Sequence, residues 1–173
     1  TDLGRVVSRL PAHPMIGAAL VRAQGGPAFD RLVRLLAAVE DGVRLSSVDL
    51  EAASSRDLRL SDRSAHRLAS GVKRNGPSLD GEQADLDLGE SLAASWPHRV
   101  ALRREGSTGR FLTTGGTEVS IHERESLAGA EAIVVVAADG KPPSIRVRSA
   151  VGLSRAAALS VLADRITEDP VVE

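Results

Sequence analysis

The chain of 173 residues carries 22 Lys and Arg against 23 Asp and Glu, a net charge of −1, so no global basic field draws it onto nucleic acid or an anionic membrane. It has no cysteine, which excludes disulfides, thiolate metal sites, iron–sulfur ligation and cysteine nucleophiles. Aromatic residues make up 2% of it (Phe29, Trp96 and Phe111), so the core must be built from Leu, Val, Ile and Ala.

The first half reads helical. Leu3, Val6, Val7 and Leu10 lie at helical spacing before Pro11 stops the run. Pro14 opens a second helix through Leu20, and Gly25-Gly26 ends it. Pro27 opens a third, with Phe29, Leu32, Val33, Leu36 and Val39 on one side, closed by Asp41-Gly42. Ser47 is the expected cap of a short helix through Leu50 and Ala53. A fifth runs from about Asp62 to Lys73 on a stripe of Ala65, Leu68, Ala69 and Val72. Residues 75–83 are polar and rich in turn formers, and read as a linker or mobile loop. A last helix covers about Leu86 to Ser95, ended by Trp96-Pro97.

The period then shortens. Strands are expected at 99–104, 109–114, 117–121, 132–138 and 144–150. The third of these joins the second through Gly115-Gly116, a two-residue hairpin signal. Such a turn sets Leu112 opposite Val119 and Arg110 opposite Ile121, with Leu112 and Val119 facing inward and Phe111 outward. The continuous run AIVVVAA (132–138) reads as a strand buried on both faces. SIRVRSA (144–150) alternates between apolar and polar residues. Ser154 to Thr167 returns to helix. The fold class is α+β: a helical half over 1–95, a five-stranded small barrel or curled sheet over 96–152, and a trailing helix and tail over 153–173.

Familiar catalytic signatures are missing. There is no G-x-x-x-x-G-K-[ST] phosphate loop, no G-x-G-x-x-G after a strand and no G-x-S-x-G elbow. His13, His66, His98 and His122 have no His at i+3 or i+4, so no helical metal pair exists, and each reads as a surface or partly buried residue. Glu123 and Glu125 read as a solvated edge. No catalytic, cofactor-binding or metal residue is assigned.

Two features suit nucleic acid. Arg56, Arg59, Arg63, Arg67, Lys73 and Arg74 crowd the fourth and fifth helical segments, and phosphate contact needs cations along one line. The bland alternative is a solvated helix face. The second feature is Arg99, Arg103, Arg110 and Phe111 on the first two strands, because OB barrels bind single strands with cations and a stacking aromatic. The alternative for Phe111 is packing against the helical half. Charge is split between the halves: residues 1–80 hold 12 basic and 9 acidic residues, and residues 81–173 hold 10 and 14.

Thr1-x-Leu3-Gly4-Arg5 followed by Leu10-Pro11-x-x-Pro14 resembles the segment joining the winged helix to the ratchet domain of DEAH-type helicases. LAASWPHRVALRR (92–104), GRFLTTGG (109–116), LAGAEAIVVVAADG (127–140) and IRVRSA (145–150) resemble the C-terminal region of the HrpB family, a bacterial branch of these ATP-dependent enzymes. Ser95-Trp96-Pro97-His98 departs from the family's Ala-Tyr-Pro-Asp, and Gly115-Gly116-Thr117 from its arginine between glycines. The resemblance implies a ratchet-like bundle and an OB-like barrel that hold single-stranded RNA or DNA against motor domains of the same polypeptide. ATP and Mg²⁺ would belong to those motor domains, which carry the NTP hydrolase activity and would precede Thr1; the opening segment, with no initiator Met, suits such a fragment. The competing reading is a protein–protein docking module that touches no nucleic acid. No run of 18 apolar residues and no secretion signal occur, so no membrane partner and a cytoplasmic location are expected.

Overall fold

The structure, a computed structural model, describes residues 2–26, 28–76 and 87–163. Most of the linker expected at 75–83, Pro27 as a helix opener and the end of the trailing helix beyond 163 lie outside the described residues.

The helical half is α1 (Asp2–Val7), α2 (Pro14–Ala23), α3 (Phe29–Glu40), α4 (Ser55–Arg59), α5 (Asp62–Asn75) and α6 (Leu88–Ser95). Three of these helices have a side-chain cap at their start. The His13 ring accepts a hydrogen bond from the Met15 amide at the head of α2. Ser54 and Asp57 form a reciprocal capping box on α4, and Asp87 and Glu90 form another on α6. Helix α4 itself was not resolved in the sequence reading as separate from the short helix expected after Ser47. That short helix is a single 3₁₀ turn, Leu50–Ala52, and its cap is Asp49, whose carboxylate accepts from the Glu51 amide. Ser47 instead accepts from the Asp49 amide and shapes the approach.

Five strands follow: β1 (Val100–Arg103), β2 (Arg110–Thr113), β3 (Glu118–Ser120), β4 (Ala132–Lys141) and β5 (Ser144–Leu153). They close into a barrel in the order β1-β2-β3-β5-β4, with β3 and β5 parallel and the other pairs antiparallel. This is the OB-like, five-stranded architecture. Helix α7 (Arg155–Leu162) trails it, capped by Ser154.

Two apolar cores share β4 and β5. Ala101, Phe111, Val119, Ile133, Val135 and Val147 fill the barrel, stoppered by Leu127 and Ala128 from the turn before β4. The outward side chains Val100, Ala132, Val134, Val151 and Leu153 join Leu20, Leu32, Leu36, Leu92 and Trp96 in the larger core. The first part of β4, Ala132 to Val135, is therefore buried on both faces, as its unbroken apolar run requires, while Asp139 to Lys141 are exposed. The Trp96 indole N–H donates to the Met15 carbonyl at 2.9 Å, pinning the end of α6 to the start of α2. A Cβ added at Gly89 would come 2.5 Å from the Gly152 carbonyl, so α6 rests on β5 backbone to backbone.

The β2–β3 register corrects the sequence reading. Phe111 pairs with Val119, Leu112 with Glu118 and Arg110 with Ser120. The loop has three residues, Thr114 to Gly116: the Thr113 amide donates to Thr117 and the Gly116 amide to Thr113. Gly116 takes the left-handed conformation at φ +77°, which closes a three-residue hairpin rather than a two-residue one. One extra loop residue slips the ladder by one position and exchanges the faces. Phe111 is accordingly 0% exposed inside the barrel, and Leu112 is 44% exposed outside it.

Candidate nucleic-acid interface

The β2–β3 hairpin and β5 build the open face of the barrel from alternation. With Phe111, Val119, Ile145 and Val147 turned inward, Arg110, Glu118, Ser120, Ser144, Arg146 and Arg148 must point outward. The register sets Arg110 beside Ser120, Ser120 beside Arg146 and Arg146 beside Asp139, one cross-strand row over four strands. Arg104 reaches this face from the β1–β2 loop. Its guanidinium contacts Glu118 Oε2 at 2.5 Å, and Arg110 contacts Oε1 at 3.3 Å. The Arg104 hydrogen bond, ahead of the charges of both arginines, holds the Glu118 carboxyl below the usual carboxylate range. Asp139 pairs with Arg148 at 3.1 Å.

A cleft of about 580 Å³ lies over this row, lined by Arg110, Glu118, Ser120, Asp139, Ser144 and Arg146. Asp139 and Arg146 also line a second cleft of about 590 Å³, whose other wall is the α3–α4 loop with Arg44, Ser46 and Ser47. The two clefts thus share residues and run from the barrel face to the seam with the helical half. Arg44, Arg146 and Arg148 converge there. Arg44 and Arg146 have no carboxylate partner among the described residues.

The loop that holds Arg44 is fastened to the arginine-rich helices. Ser46 donates its hydroxyl to Asp57 at 2.7 Å, and Ser64 donates to Asp41 at 2.9 Å. The Ser46 hydroxyl, followed by that of Ser54, keeps the Asp57 carboxyl lower than an ordinary aspartate. Arg56, Arg59, Arg63 and Arg67 are exposed on α4 and α5 beyond this tie. Lys73 and Arg74 are exposed too, but lie at the far end of α5, about 15 Å along its axis from Arg63. Arg99 is half-buried where the chain enters β1. Arg103 bonds to the Ser107 carbonyl and lines a neighbouring cleft with Arg104, Glu105, Glu131 and Arg155.

Of the residues chosen from sequence, the structure therefore brings Arg110 to the open face and leaves Arg99, Arg103, Lys73 and Arg74 away from it. Phe111 offers no stacking surface, because it is sealed in the barrel by the register described above. The sequence reading missed Arg44, Glu118, Asp139, Arg146 and Arg148, and singled out Arg99 and Arg103 rather than Arg104 from RVALRR. The alternation of Arg146 and Arg148 in SIRVRSA was a usable signal for two of them. Among the described residues no group of three His, Asp or Glu could hold a metal ion.

No family profile matches the sequence, and no curated protein matches it. Solved structures do. The fold matches the Escherichia coli DExH-box NTPase HrpB with a TM-score of 0.73 at 21% identity, over 95% of this chain and 20% of that one. A second structure, the Escherichia coli DEAH/RHA helicase HrpB, matches with a TM-score of 0.67 at 19% identity, over 90% and 19% of the two chains. The chain has the fold of an HrpB segment. It spans about a fifth of the length of those HrpB chains. No described helix is long and apolar enough to cross a membrane.

Proposed function

We propose that this chain is an accessory, C-terminal part of an HrpB-like, ATP-dependent DEAH-type helicase, which helps to hold single-stranded RNA or DNA against the motor of the same polypeptide. The observation that carries this reading is the pair of joined clefts, where Arg44 from the helical half and Arg146 and Arg148 from the barrel line one path. Guanidiniums suit this task because their planar fork takes phosphate oxygens two at a time. The OB-like architecture supports it, since that fold uses its β2–β3 face and neighbouring loops for oligonucleotides. The likeness in fold to HrpB supports the parentage. Partners in this reading are the strand and the motor domains, and the location is the cytoplasm. In this reading ATP and Mg²⁺ belong to the motor; these 173 residues have no phosphate loop.

Physically, the part acts by position and charge. The net charge of −1 means that only local cations can meet phosphate, so binding by the chain is weak and independent of base sequence. Dissociation constants in the usual non-specific range of about 10⁻⁴–10⁻⁶ M are expected. The test is anisotropy with a labelled uridine 20-mer at several salt concentrations. Arg44→Ala and Arg146→Ala should each lower affinity and reduce the salt slope by about 0.7. Lys73→Ala, at the far end of α5, should change neither. Binding that is tight and blind to salt, or equally sensitive to all three variants, would contradict the reading. Absence of binding in the wild type would favour the docking module.

A further inference from the structure

We propose that Glu118 is a built-in competitor for phosphate: its carboxylate occupies Arg104 and Arg110 and must be displaced when a strand lies on the barrel face. The inference rests on the nucleic-acid reading above and adds to it the residue that limits binding.

The geometry is that of an oxyanion already in place. Glu118 projects from the short strand β3, and each of its two oxygens faces a different guanidinium, Oε2 towards Arg104 and Oε1 towards Arg110. Arg110 is diagonal to Glu118 across the hairpin, within reach of long side chains. Arg104 is brought in by its loop, whose backbone amide bonds to the Arg110 carbonyl at 2.9 Å. A phosphate presents the same pair of oxygens to the same two forks.

All three groups are open to solvent. The side chains of Arg104, Arg110 and Glu118 are 56%, 64% and 30% exposed, so an incoming phosphate can reach both guanidiniums. Exposed ion pairs contribute little to folding. The barrel at this point is held by Val119 and Phe111 on the opposite side of the hairpin. Glu118 is therefore spare as a fold element, while it halves the charge of the two arginines it joins from +2 to +1.

The neighbouring cations make the contrast. Arg146 is on the same row as Arg110, yet has no carboxylate on it among the described residues. The face is thus divided into a free section at the seam, Arg44 and Arg146, and a section closed by Glu118. Although Asp139 holds Arg148 there, a strand can anchor at the seam on Arg44 and Arg146 without displacing a paired carboxylate. It reaches Arg104 and Arg110 only by exchanging phosphate for carboxylate, which favours a ligand long enough to occupy both sections.

The consequence is measurable in affinity and in salt dependence. Each exposed ion pair displaced costs about 1.4- to 5-fold in binding, so two cost about 2- to 30-fold. Glu118→Gln keeps the side chain's shape and removes the charge. It should tighten binding of the labelled uridine 20-mer by that factor at low salt. The pair of guanidiniums then carries one more net positive charge towards phosphate, so the salt slope should steepen by about 0.7. Both changes should vanish when Arg104 and Arg110 are also replaced by Ala. Glu118→Thr, which keeps a strand-forming residue at this position, serves if the Gln variant melts early. If Arg146→Ala weakens binding while Glu118→Gln leaves it unchanged or weaker, the competitor role is wrong and the nucleic-acid reading stands. If neither variant alters binding, both are wrong.

Discussion

Phe111→Ala separates a packing residue from a stacking platform. The ring is 0% exposed and sits among Ala101, Val119, Ile133 and Val135. Strand β2 is hydrogen-bonded to β1 on one side and to β3 on the other, so it cannot fold inward to fill the space left by the ring. Truncation of a well-enclosed Phe to Ala costs about 3–5 kcal/mol, counting lost transfer and the remaining cavity. That is a large part of the about 5–15 kcal/mol that stabilises an ordinary domain. Urea unfolding followed by the fluorescence of buried Trp96 reads it directly. With a slope of about 2 kcal/mol per molar, the midpoint should fall by about 1.5–2.5 M. Leu112→Ala is the control. Leu112 is 44% exposed on the outer face, and its loss should cost about 1 kcal/mol or less. A two-residue turn at Gly115-Gly116 would reverse the two costs, since it exchanges the faces. If Phe111→Ala costs under about 1 kcal/mol, or Leu112→Ala costs more than Phe111→Ala, the register argument fails.

Three further outcomes follow from the same contacts. Gly89→Ala should lower the melting temperature although alanine is the better helix former, because the new methyl would lie 2.5 Å from the Gly152 carbonyl and α6 would have to lift off β5; a raised melting temperature refutes this. Asp57 has a folded pKa below its unfolded value near 4, so its contribution is present above that value and is lost as pH falls through the folded pKa. Thermal melts from pH 6 down to pH 2.5 should therefore show Asp57→Asn less stable than wild type at the upper end and converging with it at the lower, whereas parallel curves would contradict the assignment. The purified chain should neither bind ATP nor hydrolyse it in the presence of single-stranded RNA, since it has no phosphate loop; strand-stimulated phosphate release would overturn that.

Much of the fold is written locally. The stripe of Ala65, Leu68 and Val72 names α5, the β-branched run at 132–138 names a strand with two buried faces, and the alternation at 144–150 names one with a solvent face. These signals are legible because they depend on residues a few positions apart. The resemblance to the HrpB family likewise came from ordered short segments, and the fold bears it out. Helix α4 escaped notice because it is only five residues long, and its Ser54–Asp57 capping box carries more information than its hydrophobic pattern.

The site was less legible, for a physical reason. Side-chain period in a strand is two, so one residue gained in the Thr114–Gly116 loop moved Phe111 into the barrel and Leu112 out of it. Composition at Gly115-Gly116 permits either loop; the closed ladder with β1 on the far side of β2 selects one. Convergence is the other tertiary decision. Arg44 meets Arg146 and Arg148 only because the α3–α4 loop is tied down by Asp57 and packs against β5. Glu118 meets Arg104 only because the β1–β2 pairing sets Arg104 opposite Arg110, and β3 lies on the other side of β2. The amino-acid sequence by itself determined the five strands, most of the helices and that the chain has no phosphate loop. Only the tertiary structure decided which charges share a surface and which of them are already paired, because those distances are set by barrel closure and by loops far apart in the chain.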